Sequence, residues 1–177
     1  MAGNKPNEQF IPLNIAVVTV SDTRTDDTDT SGQYLQQALT DAGHRCHSKQ
    51  ICKDDVYRLR ALVAALIADN AVNAILVTGG TGFTRRDNTL VSLTPLLDSS
   101  IDGFGELFRH LSYKEIGTST VQSRAFAGLS NSTAVFCMPG STGACKTAWT
   151  GIIAEQLDSR HRPCNFVDRL LLKGSID

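Results

Sequence analysis

Apolar residues along this chain fall into short unbroken runs, separated by longer stretches with helical spacing. Asn14–Val20 reads NIAVVTV, continuously apolar and β-branched, as a strand buried on both faces requires. Residues 74–77 (AILV) and Thr133–Met138 (TAVFCM) repeat the pattern, and the last run breaks at Pro139-Gly140. Arg45–Cys52 is a weaker strand, half polar. Between these runs the period changes. Tyr34, Leu35, Ala38 and Leu39 share one face of a helix that Gly43 stops. Leu59, Leu62, Val63, Leu66 and Ile67 mark a second helix, with Asp54 and Asp55 placed to cap it. A third is expected over 142–157. Residues 89–128 read as several short helices, punctuated by Pro95, Gly103, Gly105 and Gly117. Residues 1–10 read as a polar, flexible arm. Residues 158–177 read as a C-terminal extension anchored by Phe166 and Leu170 to Leu172.

Buried strands alternating with helices predict an α/β fold of three layers, α/β/α, with a mostly parallel central sheet. The 177 residues suit a single domain. Ligands of such folds bind beyond the carboxyl ends of the strands. Three segments lie there: SDTRTDDTDTSG (21–32), TGGTGFTRRD (78–87) and PGSTGACK (139–146).

Composition narrows the partners. Hydrophobic residues make up 41% of the chain and charged residues 20%, enough for a packed core. A net charge of −1 argues against a general nucleic-acid binder. No apolar run approaches the roughly 20 residues of a membrane span, and the N-terminus lacks a secretory h-region. Five cysteines with no CxxC pair argue against a disulfide framework and fit free thiols in a reducing cytoplasm. His44, Cys46 and His47 (HRCH) make at best half a metal site.

The strand ends carry the candidate chemistry. Glycines after a strand let backbone N–H groups approach an anion, since no Cβ intervenes. TGGTG is such a cradle, though a tight structural turn has the same composition, and it lacks the GK[ST] ending of a Walker loop. Arg85 and Arg86 can neutralise phosphate oxygens. Asp87 either holds a metal or orients a reactant, or it pairs with Arg85 or Arg86 or caps the next helix. Ser21 and Asp22 sit at the first strand end, while Asp26 and Asp27 read as solvated. Gly140 and Ser141 stand at a helix start, a natural anion site, and Lys146 lies nearly a turn inside that helix. Cys145 reads as a small buried thiol, and no Ser-His-Asp or Cys-His order is present.

Six motifs occur in one order: TVSD (19–22), DTSG (29–32), TGGTGFTRRD (78–87), GFGELFR (103–109), IGTSTVQSRA (116–125) and MPGST (138–142). Together they resemble the MoaB/Mog family of molybdenum cofactor biosynthesis proteins, and RPCNF (162–166) is closest to its B branch. The resemblance implies trimers or hexamers that bind molybdopterin, a pterin with a dithiolene and a terminal phosphate. It further implies, for Mog-type members, adenylylation of that phosphate with Mg²⁺ and ATP. It places phosphate and nucleotide contacts on Gly79, Gly80, Thr81 and Gly82, and an essential carboxylate on Asp87. A second family carboxylate falls on Asp54, so Asp87 and Asp54 are the expected catalytic and metal-holding pair. Ser123 and Arg124 match the family's SR pair, and Pro139, Gly140 and Ser141 its PG-containing pocket. Ser21, Asp22 and Arg86 complete the expected ligand-binding set. Two residues depart from the pattern: Lys53 replaces a proline, and Gly143 stands where relatives carry lysine. Two readings follow. One is a Mg²⁺- and ATP-dependent molybdopterin adenylyltransferase. The other is a non-catalytic molybdopterin-binding or assembly protein that meets other proteins of the same pathway.

Overall fold

In the computed structural model of the chain, residues 9–174 are described. The sheet is built from β1 (Asn14–Val20), β2 (Arg45–Cys52), β3 (Ala74–Thr78), β4 (Ser99–Ser100), β5 (Phe126–Ser130) and β6 (Thr133–Met138), in the order β2-β1-β3-β6-β5-β4. β2, β1, β3 and β6 run parallel, and β5 and β4 add on antiparallel. Helices α1 (Thr30–Asp41), α2 (Val56–Ala68), α3 (Thr89–Leu93), α4 (Asp102–Ile116), α5 (Thr142–Ala148), α6 (Ala154–Gln156) and α7 (Val167–Leu170) complete the fold. The expected three-layer α/β/α architecture is the one observed.

The layers follow from side-chain alternation on β1. Ile15 and Val17 face a core shared with Leu35 and Leu39 of α1, Phe104 and Phe108 of α4, and Ile153. Ala16, Val18 and Val20 face the other way, onto Leu59, Val63, Leu66 and Ile67 of α2. Burying each such leucine or isoleucine contributes roughly 1.5–3 kcal/mol. β2 lies at the sheet edge with one residue inserted opposite the Ile15/Ala16 step, which explains its weak, half-polar pattern.

The sequence reading of 89–128 needs correction. Residues 102–116 form one helix rather than several, and Gly103 and Gly105 lie inside it. Gly105 is no break: a Cβ there would sit 2.5 Å from the Ala125 carbonyl oxygen, so its smallness lets α4 lie against the entry to β5. FAGLS was not recognised as strand β5, and the two-residue β4 is equally invisible to periodicity. The helix expected over 142–157 is present as α5 and α6, joined by a wide π turn at Trp149–Ile153.

Residues 1–8 of the expected arm lie outside the described residues. Gln9 and Phe10 are tied to the body: the Ser159 hydroxyl donates to the Gln9 carbonyl at 2.9 Å, and Phe10 packs on His44. In the C-terminal segment Val167 and Leu170 are fully buried and Phe166 is partly so, but Leu171 and Leu172, expected as anchors, are exposed. Among the described residues no helix is long and apolar enough to cross a membrane.

Candidate functional site

The loops after β1, β3 and β6 meet at the carboxyl ends of the parallel strands, around a cavity of about 410 Å³. That size falls in the usual range for small-molecule sites, roughly 300–1,000 Å³. Gly79, Gly80, Thr81 and Gly82 form one wall, Ser21 another, and Pro139 with Gly140 a third. Asp87 and Ser123 also face it. The loops are stitched together directly. The Ser31 hydroxyl donates to the Gly140 carbonyl at 2.8 Å, and the Thr30 and Thr142 hydroxyls lie 3.0 Å apart. Asp29 makes this possible: fully buried, it caps α1 at Gly32 N–H and accepts from the Thr19 hydroxyl, each at 2.9 Å.

Two glycines of the cradle are required by the backbone itself. Gly79 has φ +105° and Gly80 φ +63°, and a Cβ on Gly79 would stand 2.3 Å from the Val20 carbonyl oxygen. At Gly80 it would meet Thr89 Oγ1 at 2.4 Å. The tight-turn explanation therefore holds at both residues, which also line the cavity.

Asp87 pairs with neither Arg85 nor Arg86, and Asn88 rather than Asp87 occupies the cap position of α3. Its Oδ2 closes the turn instead, accepting from Thr84 N–H at 2.8 Å and from the Thr84 hydroxyl at 2.6 Å. Burial pushes the Asp87 carboxyl up, but hydrogen bonds from Thr84 and Gly82 and the charge of Arg124 outweigh it, and the net pKa is lowered. Asp54 behaves oppositely. It is buried, accepts from Asn88 N–H at 3.1 Å, and its pKa is raised by burial, with the charges of Asp87 and Asp22 adding to the shift.

The expected residues divide between two cavities. Asp22, Asp54 and Arg86 line a neighbouring one of about 500 Å³. There Asp22 Oδ2 accepts from the Arg86 guanidinium, and Lys53 Nζ donates to the Asp22 carbonyl at 2.8 Å. Arg124 lines neither. Its guanidinium donates to the carbonyls of Thr81 (3.2 Å), Gly82 and Asp87 (3.0 Å) and lies over the Phe83 ring, so it clamps the glycine loop. Ser141 caps α5 through Ala144 N–H at 3.1 Å and lies outside the cavity wall, as do Gly143 and Lys146. Sequence reasoning passed over Arg24, Ser119 and Gln122, which do line the first cavity. Arg24 sits four residues past the end of β1, and Ser119 and Gln122 lie in the 3₁₀ segment Gly117–Gln122, inside a motif already noted.

Comparison with known proteins identifies the family. Residues 16–159 match the family described as "Probable molybdopterin binding domain". Molybdenum cofactor biosynthesis protein B of Escherichia coli (strain K12) is 54% identical over 158 residues, covering 89% of this chain and 93% of the relative. A crystal structure of molybdenum cofactor biosynthesis protein B superposes with a TM-score of 0.81 at 43% identity, covering 87% of this chain and 94% of that one. The tungsten cofactor synthesizing protein MoaB of Pyrococcus furiosus follows at TM-score 0.72 and 36% identity, over 81% and 92% of the two chains. With the strand-end loops, the glycine cradle and the sheet order in place, this chain belongs to the MoaB/Mog family of molybdopterin-binding domains.

Proposed function

We propose that this chain binds molybdopterin in the first cavity and transfers an adenylyl group from ATP to the pterin's terminal phosphate, releasing pyrophosphate. The observation that carries the reading is the single cavity walled by all three strand-end loops, with a glycine cradle and an ionised Asp87 on its surface. The nucleophile is a phosphate, already anionic near neutral pH. It needs no general base, and the described wall contains no histidine. Placement against the ATP α-phosphate and relief of repulsion between anions are what the site must supply.

Magnesium suits the donor set. Among the described residues no group of three or more His, Cys, Asp or Glu side chains gathers in one place, so a dedicated protein cage is absent. Mg²⁺ commonly takes one or two carboxylates and completes its shell with phosphate oxygens and water. Asp87, on the wall of the first cavity, and Asp54, on that of its neighbour, would hold it from the two sides, and its charge would lower the repulsion between the two phosphate groups. The raised pKa of Asp54 fits this role, because a nearby cation favours the ionised form that burial and neighbouring carboxylates disfavour.

A second reading, binding without transfer, draws on a specific observation. Of Arg85, Arg86 and Arg124, expected as the fixed cations for phosphate, Arg124 bonds to carbonyls and Arg86 to Asp22. Incubation of the protein with molybdopterin and Mg-ATP separates the two readings. Adenylylated pterin and pyrophosphate, lost in Asp87→Asn, support transfer. Saturable pterin binding without either product assigns the chain to the binding class. Assembly belongs to the same proposal: Tyr113, Ile116 and Val121 are exposed apolar side chains, Ile116 on the cavity wall, suited to contact a second copy in a trimer or hexamer. Light scattering in solution reads the subunit number. The five thiols are unpaired, in keeping with the proposed cytoplasmic location.

A further inference from the structure

The first cavity has two charged residues on its described wall, Arg24 and Asp87. Arg124 turns its fork to backbone carbonyls, and Arg86 faces the neighbouring cavity. Arg24 is held differently. One nitrogen, Nη1, donates to the Thr28 carbonyl at 2.6 Å and to the Thr30 hydroxyl at 3.2 Å. Its backbone N–H is fixed by the Ser21 hydroxyl at 3.1 Å. The remaining guanidinium donors, Nε and Nη2, have no partner among the described residues. An arginine anchored through one nitrogen keeps its other N–H groups oriented for two oxygens of one anion.

Ser123 belongs to the same wall. The Ser123 hydroxyl is buried and makes no hydrogen bond. A buried hydroxyl without a partner carries a desolvation cost that a bound oxygen would remove.

We propose that Arg24 and the Ser123 hydroxyl together read a phosphate monoester on the ligand of this cavity. The proposal rests on the pterin reading above and deepens it by naming the residue that selects the phosphorylated pterin. One guanidinium can grip one phosphoryl group through two N–H···O contacts, whereas a triphosphate chain presents more anionic oxygens than the one cation of this wall can meet. Arg24 thus acts as the specificity residue for the pterin phosphate rather than for the nucleotide.

Inorganic phosphate, titrated against the full chain and followed by ³¹P line width, tests the seat directly. Arg24→Gln is expected to weaken phosphate binding about tenfold or more, the weight of one charge-assisted pair. Arg24→Lys should fall between, Ser123→Ala should lose a few-fold, and Arg45→Gln, at the far end of β2, should match the parent chain. Arg24→Lys keeps the charge and guards against loss of folding, which a thermal melt reports for each variant. Phosphate affinity unchanged in Arg24→Gln, or absent from the parent chain, overturns the proposal. Molybdopterin and its dephosphorylated form are then compared. The parent chain should prefer the phosphorylated pterin, and Arg24→Gln should bring that preference close to unity; a preference that survives the change overturns the specificity role. If the parent chain binds neither pterin while phosphate binding still depends on Arg24, the pterin reading falls and the anion seat stands.

Discussion

The Arg124 guanidinium donates to the carbonyl of Asp87 at 3.0 Å, linking the entry of β5 to the end of the glycine loop. The same side chain reaches the carbonyls of Thr81 and Gly82, so three points of one loop hang on one cation. The loop's shape is therefore set from outside its own sequence.

Removing that clamp should loosen the loop before it unfolds the protein. Arg124→Ala leaves three carbonyls without their donor, and water can reach part of them. We expect a stability loss of about 1–3 kcal/mol in urea unfolding. Amide exchange should rise across 79–88 and stay unchanged in β1 and β3. Equal exchange in parent and variant would remove Arg124 from this role.

The glycines should separate into strained and free positions. Gly79→Ala forces a Cβ to 2.3 Å from the Val20 carbonyl at φ +105°, and Gly80→Ala meets Thr89 Oγ1 at 2.4 Å. Each should cost at least about 1–3 kcal/mol. Gly143→Ala is the contrast. It has open space, a helical position in α5 and no positive φ, so it should stabilise by about 0.4–1 kcal/mol. Thermal melts of the three variants give the order.

Asp54 should carry a stability penalty at neutral pH. Its pKa is raised in the folded state by burial, with Asp87 and Asp22 contributing. A carboxyl with a raised folded pKa favours folding while protonated, and that benefit is lost as pH rises through the carboxylate range. Asp54→Asn retains an acceptor for Asn88 N–H without the charge. It should raise Tm at pH 7, with the gain fading as pH falls through the carboxylate range, and the proposed adenylyl transfer should be lost. A lower Tm at pH 7 would contradict the electrostatic account. Asp87 has the opposite sign: its lowered pKa contributes stability above the ordinary carboxylate range, lost as pH falls through its folded value.

His44 should make the fold acid-sensitive at a site remote from the cavity. It is 4% exposed, its Nδ1 accepts from Leu13 N–H at 3.2 Å, and it packs on Phe10 and Trp149. Burial lowers its pKa to about 4, against a partial upward pull from Asp158. The unfolded chain therefore binds the proton first, and stability falls as pH drops from about 6.5 toward 4. The full loss is on the order of 3 kcal/mol. Urea unfolding at several pH values should show this slope, and His44→Gln should flatten it.

The sequence alone determined the parallel half of the sheet, because β1, β3 and β6 are buried on both faces and their apolar runs are unbroken. It also marked the three strand-end loops, since glycine, proline and small polar residues concentrate where backbone must turn or approach a ligand. Tertiary structure decided the rest. FAGLS became a strand only because β6 offers it an antiparallel edge, and α4 carries a glycine at 105 because the Ala125 carbonyl leaves no room for a Cβ. Asp54 and Asp87 were both readable as carboxylates, yet burial raises the pKa of Asp54 while hydrogen bonds and Arg124 overcome burial at Asp87, and the two line neighbouring cavities. Arg124, expected as a ligand contact, holds three loop carbonyls, while Arg24 drew no notice and lines the cavity. Which cation meets a ligand depends on which carbonyls reach it first, and those carbonyls lie tens of residues away in the chain.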